Sequence, residues 1–272
     1  MDRIRMALDL ARQERDRAAD PEPGVQQEPL RTPNKGLPAN IEYTKTRVVT
    51  LDRHALEARR IVDPDGNTPA AAGFRMLRTQ VIQRMDEHHW QSVAVLSPGR
   101  SDGKTTTAVN LALSMANDRR HTVLLVDCDL KNPTIASTLG ISAELGVDDI
   151  LRGEARIEDC LCHPDGFGRL VVLPARAMLV NSSEALAGPQ GRALVADLRG
   201  RYPERIIVFD LPPILGADDA LAFLPLIECG LVVVAEHGTR RDELLRSMEL
   251  LRKTPILGTV LNKAADAGST YG

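Results

Sequence analysis

From residue 92 onward, short runs of aliphatic and β-branched residues recur: SVAVL (92–96), TVLLVD (122–127), RLVVLP (169–174), RIIVFD (205–210), GLVVVAE (230–236) and PILGTVLN (255–262). None alternates apolar with polar residues, so each reads as a strand covered on both faces, the pattern of a parallel sheet. Stretches with a helical period separate them at 104–118, 190–200, 217–227 and 240–253. A further helix is expected from Pro69 towards His88 and His89, capped by Thr68. Strand–helix alternation at this spacing predicts an α/β fold. Its doubly wound, mostly parallel sheet is flanked by helices and binds ligands at the C-terminal strand edge.

The first of these strand–helix junctions reads LSPGRSDGKTTTAVNL, residues 96–111. Gly103-Lys104-Thr105 ends a P-loop, G-x-x-x-x-G-K-[ST], although Pro98 stands where the motif has its first glycine. A helix start leaves several N–H groups unpaired and carries about half a positive charge, so it receives a phosphate. Arg100, Ser101, Asp102, Gly103, Lys104, Thr105 and Thr106 are therefore the expected nucleotide-binding residues. Gly103 permits the tight turn, Lys104 bridges the β- and γ-phosphates, and the Thr105 hydroxyl binds Mg²⁺. Two further strands end in acid: TVLLVDCDL in Asp127 and Asp129, which alternation points to one side, and RIIVFDLPP in Asp210 before Pro212-Pro213. Alone, each aspartate reads equally well as a turn residue; the alternative to the P-loop is a plain strand-to-helix turn with a surface lysine. Together they predict a nucleotide–magnesium site with Thr105, Asp127, Asp129 and Asp210 around the metal.

The rest of the chain divides into an N-terminal helix and Pro-rich linker (1–40), a connecting segment with VVTL as a short strand (41–68), a P-loop domain (69–265) and a flexible tail (266–272). No internal repeat is evident. A net charge of −3 gives no global basic field, which argues against nucleic acid as a partner. Cys128, Cys160, Cys162 and Cys229 form no C-x-x-C pair and no signal peptide precedes them, which suits a reduced compartment. Cys160 to His163 reads as a loop whose spacing matches no common zinc pattern. The longest apolar run, 221–235, is broken by Pro225, Glu228 and Gly230 and is too short to span a bilayer. A cytoplasmic protein is expected, reaching a membrane only through a partner. Asn181 to Glu184 reads as a helix N-cap, and Arg240 to Glu243 as a solvent-facing helix start.

SPGRSDGKTTTAVNLALSMA, VLLVDCDLKNP, RYPERIIVFDLPPILGADDALAF, LVVVAEHGTRRDELLRSMELL and ILGTVLNK together resemble the bacterial tyrosine kinase family, the CpsD/CapB-like enzymes of capsule and exopolysaccharide loci. The resemblance covers residues 69–265 and implies a cytosolic, ATP- and Mg²⁺-dependent protein-tyrosine autokinase that regulates polysaccharide polymerisation or export. By resemblance, Lys104, Asp127 and Asp129 are catalytic, and Asp127 activates the tyrosine hydroxyl. Asp129, Asp210 and Thr105 organise the metal. Asn262 is placed where related ATPases contact the base, or is a strand-end cap. The partner implied is a membrane-bound polysaccharide co-polymerase or chain-length regulator, which recruits the kinase to the inner face of the membrane.

Two departures bear on this. The family's tail carries a tyrosine cluster; here DAGSTYG holds only Tyr271, read as the phospho-acceptor or as an incidental residue. The family's contact helix reads Glu-x-x-Arg-x-x-Arg, whereas this chain has Ala72, Arg75 and Arg78, which form a homo-oligomer contact or a solvated face. The alternative function is a non-kinase P-loop ATPase switch. Partitioning ATPases carry an extra lysine early in the loop, where this chain has Gly99 or Arg100. A scaffold that merely retains the fold is the third reading.

Overall fold

The computed structural model describes residues 46–264, apart from 119 and 203. The expected N-terminal helix and linker, the tail, Tyr43 and Tyr271 lie outside the described residues. The chain divides into Met1–Lys35 and Gly36–Gly272, and every described residue belongs to the second unit.

The described strands are β1 (Arg47–Val49), β2 (Ser92–Leu96), β3 (Thr122–Asp127), β4 (Cys162–Pro164), β5 (Leu170–Leu173), β6 (Arg205–Asp210), β7 (Cys229–Ala235) and β8 (Ile256–Asn262). They form one sheet in the order β1-β4-β5-β3-β6-β2-β7-β8. All neighbours run parallel except β4 and β5. The helices are α1 (Arg53–Ala58), α2 (Pro69–Glu87), α3 (Lys104–Ala116), α4 (Ile135–Leu139), α5 (Val147–Arg152), α6 (Ile157–Cys160), α7 (Ser182–Ala187), α8 (Pro189–Arg201), α9 (Asp219–Phe223) and α10 (Arg241–Leu250).

Two cores explain the non-alternating inner strands; β8 is the exception, an edge strand whose Leu261 is exposed, because no described strand covers its outer side. Val93 and Val95 of β2 enter one core, with Val81, Ile82 and Met85 of α2 and Leu111 and Met115 of α3. Ala94 and Leu96 enter the other, with Leu194 and Leu198 of α8 and Phe223 of α9. Each Val or Leu buried in this way is worth about 1.5–3 kcal/mol. Helix α2 starts as its sequence predicts: Pro69 occupies the first turn and Thr68 Oγ1 accepts from the Ala71 N–H at 3.1 Å. Leu51, Leu56 and Ile61, from the segment expected as a connector, join the first core.

Several expectations are corrected. Cys160 to His163 is not a loop: α6 ends at Cys160, and Cys162 and His163 form β4, where His163 Nδ1 donates to the Leu170 carbonyl at 2.7 Å. The helix at 217–227 shrinks to α9 and a 3₁₀ turn at Leu224–Leu226, because Pro225 has no N–H to continue it. Asn181 precedes α7 but makes no side-chain cap. Arg75 and Arg78 are not a freely solvated pair. Arg75 donates to the Pro64 and Gly66 carbonyls, and Arg78 to that of Ser114.

Away from the sheet edge, Asp149 stitches α5 to the loop after β5. It accepts from the Gly146 N–H at 2.9 Å and from Arg176 at 2.7 and 3.1 Å, with Arg152 at 3.2 Å. The Arg176 hydrogen bonds, helped by the Gly146 N–H, hold the Asp149 carboxyl below its ordinary 3.8. Its contribution is therefore present above that value and lost as pH falls through the lower folded value. Asp149→Asn is expected to cost about 1–2 kcal/mol in urea melts at pH 7. The gap should narrow below pH 3.8; a gap constant with pH would remove the charge from the explanation.

Candidate active site

The P-loop leaves β2 and enters α3. Gly103 adopts φ 94°, where a Cβ would lie 1.9 Å from Asn262 Nδ2, so the turn and its packing both require glycine. The loop is braced from inside and outside. Asp102 Oδ2 accepts from the Gly99 N–H at 2.9 Å, and Ser97 Oγ donates to the Gly99 carbonyl at 2.7 Å. From the end of β8, Asn262 Nδ2 donates to the Asp102 carbonyl at 2.8 Å and Lys263 Nζ to that of Ser101 at 2.6 Å. Ser101 and Lys263 both hold positive φ, at 65° and 58°. Pro98 is accommodated, since its carbonyl accepts from the Leu215 N–H at 3.2 Å.

Beside the loop, sheet register brings the acids together. Asp127 and Asp210 are directly paired across β3 and β6, and Val95 of β2 is paired with Asp210. Thr105 Oγ1 donates to Asp210 Oδ2 at 2.6 Å. Lys104 Nζ lies 2.7 Å from Asp129 Oδ2 and 3.5 Å from Asp210 Oδ1, and Asp210 Oδ1 accepts no hydrogen bond from the described residues. Asp127 is turned elsewhere: Oδ2 accepts from the Thr134 and Ile135 N–H groups, each at 3.0 Å, and Oδ1 from the Asp129 N–H at 3.2 Å. The two aspartates of DCD therefore do not present their carboxylates to one partner, because Asp129 lies past the end of β3, where strand alternation no longer holds.

Two buried carboxylates, Asp129 and Asp210, thus approach one buried ammonium, with the buried Asp127 beside them. Burial, reinforced by the Asp210 charge, pushes the Asp127 carboxyl up. Burial likewise raises Asp210, against the pull of Lys104. Burial works to lower the Lys104 pKa, but the charges of Asp210 and Asp129 outweigh it and the net direction is upward. An Asp210 oxygen without a hydrogen-bond partner among the described residues, on the carboxylate that accepts from the Thr105 hydroxyl, fits a divalent cation beside Thr105.

These groups surround a cleft of about 290 Å³, lined by Arg100, Ser101, Lys104, Thr105, Asp129, Lys131, Asn132, Thr134, Pro212, Pro213, Gly216 and Ala217. Of the residues expected from sequence, Arg100, Ser101, Lys104, Thr105 and Asp129 stand in its wall. Asp127 and Asp210 lie fully buried behind it. Asp102, Gly103 and Asn262 shape the loop, Asn262 as a brace on its backbone, and Thr106 follows half-buried in the first turn of α3. Sequence reasoning assigned no role to Lys131, Asn132, Thr134 or Gly216. Only Lys131 left a signal, as a cation two residues after the acidic pair.

A phosphate loop feeding a helix, an acid hydrogen-bonded to its threonine and a mostly parallel sheet define a P-loop nucleoside triphosphatase fold. A family model described as an AAA domain matches residues 97–235, and the chain belongs to that family. It is 27% identical over 202 residues to the tyrosine-protein kinase YwqD of Bacillus subtilis (strain 168), covering 73% of this chain and 84% of that protein. It is 29% identical over 212 residues to the succinoglycan biosynthesis transport protein ExoP of Rhizobium meliloti (strain 1021), covering 76% of this chain and 26% of that protein. Among solved structures, the kinase domain of the Escherichia coli tyrosine kinase ETK superposes with a TM-score of 0.67 at 26% identity, over 78% of this chain and 83% of that one.

Proposed function

We propose that this chain is an ATP-dependent protein-tyrosine kinase that phosphorylates itself and acts in bacterial capsule or exopolysaccharide production. The observation that carries this is the joint placement of Lys104, Thr105 and Asp129 in one cleft wall, with Asp210 bonded to Thr105 behind it. Kinship with tyrosine-protein kinases over most of the chain supports it.

In this reading the α3 start and the P-loop N–H groups cradle the phosphates, and Thr105 with Asp210 would hold Mg²⁺. Magnesium, when bound, neutralises charge on the transferring phosphoryl group. Lys104 turns from Asp129 to the phosphates. The tyrosine oxygen attacks the γ-phosphorus, the bond to the leaving ADP oxygen breaks, and a carboxylate takes the hydroxyl proton. Asp127 has that role by resemblance. Asp129 has the geometric claim, since it stands in the wall and the Lys104 movement frees it.

The acceptor is assigned to Tyr271. Tyr202 sits at the opposite, N-terminal edge of the sheet, its carbonyl accepting from Gln91 Nε2 at 2.8 Å and its ring under the Arg205 guanidinium. Incubated with Mg-ATP, Tyr271→Phe should lose most phosphotyrosine seen by mass spectrometry in the unaltered protein. Phosphate undiminished on Tyr43 or Tyr202 would defeat the assignment. ATP turnover with no phosphotyrosine at all would favour the ATPase-switch reading. Among the described residues no helix is long and apolar enough to cross a membrane. A membrane-bound co-polymerase partner and recruitment to the inner membrane face complete the proposal, supported by kinship with a polysaccharide transport protein.

A further inference from the structure

The outer wall of the cleft, Pro212 to Ala217, is a loop and needs anchoring at both ends. Its start is tied to the P-loop by the backbone: the Ile214 N–H donates to the Ser97 carbonyl at 2.9 Å and Leu215 to that of Pro98 at 3.2 Å. Its far end has a different tether. Lys131, which lines the cleft from the segment after β3, places Nζ 2.6 Å from Asp219 Oδ1 and 3.3 Å from Asp218 Oδ1. Asp218 Oδ2 in turn accepts from Ser183 Oγ at 2.8 Å, linking α7 to the same point.

Asp219 makes this tether unusual. Its side chain is 0% exposed, whereas that of Lys131 is 40% exposed. Neither carboxylate oxygen of Asp219 is in hydrogen-bond geometry with any described residue, so the Lys131 ammonium is its close countercharge. A buried carboxylate is costly without such a charge, while an exposed lysine loses little by letting go. The asymmetry means that Asp219 depends on Lys131 more than Lys131 depends on Asp219. We propose that the Lys131–Asp219 pair is a latch that holds the 212–219 wall over bound nucleotide, which makes both of them positioning residues.

The proposal rests on the nucleotide reading of the cleft, and its test separates the two. Binding and release of the fluorescent analogue mant-ATP are measured in magnesium buffer for the unaltered protein, Asp219→Asn, Lys131→Gln, Lys131→Arg and the Asn/Gln double variant. Asp219→Asn strands no buried charge and is the variant safest for folding. The latch predicts that Asp219→Asn and Lys131→Gln each weaken binding about tenfold, one charge-assisted contact's worth, through faster release with association unchanged. The double variant should be no worse than either single one, and Lys131→Arg should retain binding. Tighter binding by Asp219→Asn would mean that Lys131 contacts phosphate directly, and overturns the latch. So would binding within twofold of the unaltered protein, or additive losses in the double variant. An unaltered protein that takes up no mant-ATP would bring down the nucleotide reading, and the latch with it.

Discussion

Lys104→Met is expected to abolish phosphotyrosine formation and to lower ATP turnover by at least about 10³-fold, since one preorganised charge at the transferring group is worth that much in a dry site. The structure gives a second expected effect. Lys104 is the buried cation among Asp127, Asp129 and Asp210, and its ammonium is 2.7 Å from Asp129. Met leaves three carboxylates with no buried countercharge, so the variant should also melt lower in metal-free buffer. Circular dichroism at the assay temperature separates an inactive folded protein from an unfolded one. A folded variant that retains more than about a tenth of the labelling would remove Lys104 from the phosphate-binding role.

Asp210→Asn should separate stability from activity in the opposite direction. The Asp210 carboxyl is raised by burial, against the stabilising pull of Lys104. A folded value above the unfolded one means that the ionised form costs stability, increasingly as pH rises through the folded value. The neutral amide removes that cost and still accepts the Thr105 hydrogen bond. Its Tm in metal-free buffer should therefore rise at pH 7.5. Phosphotransfer should nevertheless fall about 10²–10³-fold, because the charge that fits magnesium is gone. Thermal melts and labelling are run on the same sample. A lower Tm together with unchanged labelling would contradict both halves of the argument.

What could be read from the chain and what could not divides along sequence distance. Runs such as RIIVFD announce buried parallel strands because the apolar pattern is local, and the Gly103-Lys104-Thr105 step lies wholly within one turn. Asp210 was legible as a strand-end acid, but its pairing with Asp127 depends on β3 and β6 becoming neighbours. Short β4 was missed because three residues ending in proline carry too little periodicity, and only its partners β1 and β5 make it a strand. Asn262 reads from the sequence as a strand-end residue, yet its bond to the Asp102 carbonyl joins positions 160 apart. Lys131 and Asp219 likewise belong to separate motifs and meet only across the folded cleft.

The clamp from the last strand has a mechanical consequence. Asn262 and Lys263 grip the phosphate loop by its backbone, and the polymer continues directly from that grip towards Tyr271. A pull on the chain beyond Lys263 would therefore bear on Ser101 and Asp102 through two side chains. The grip that shapes the nucleotide cradle is also the point at which such a load is felt.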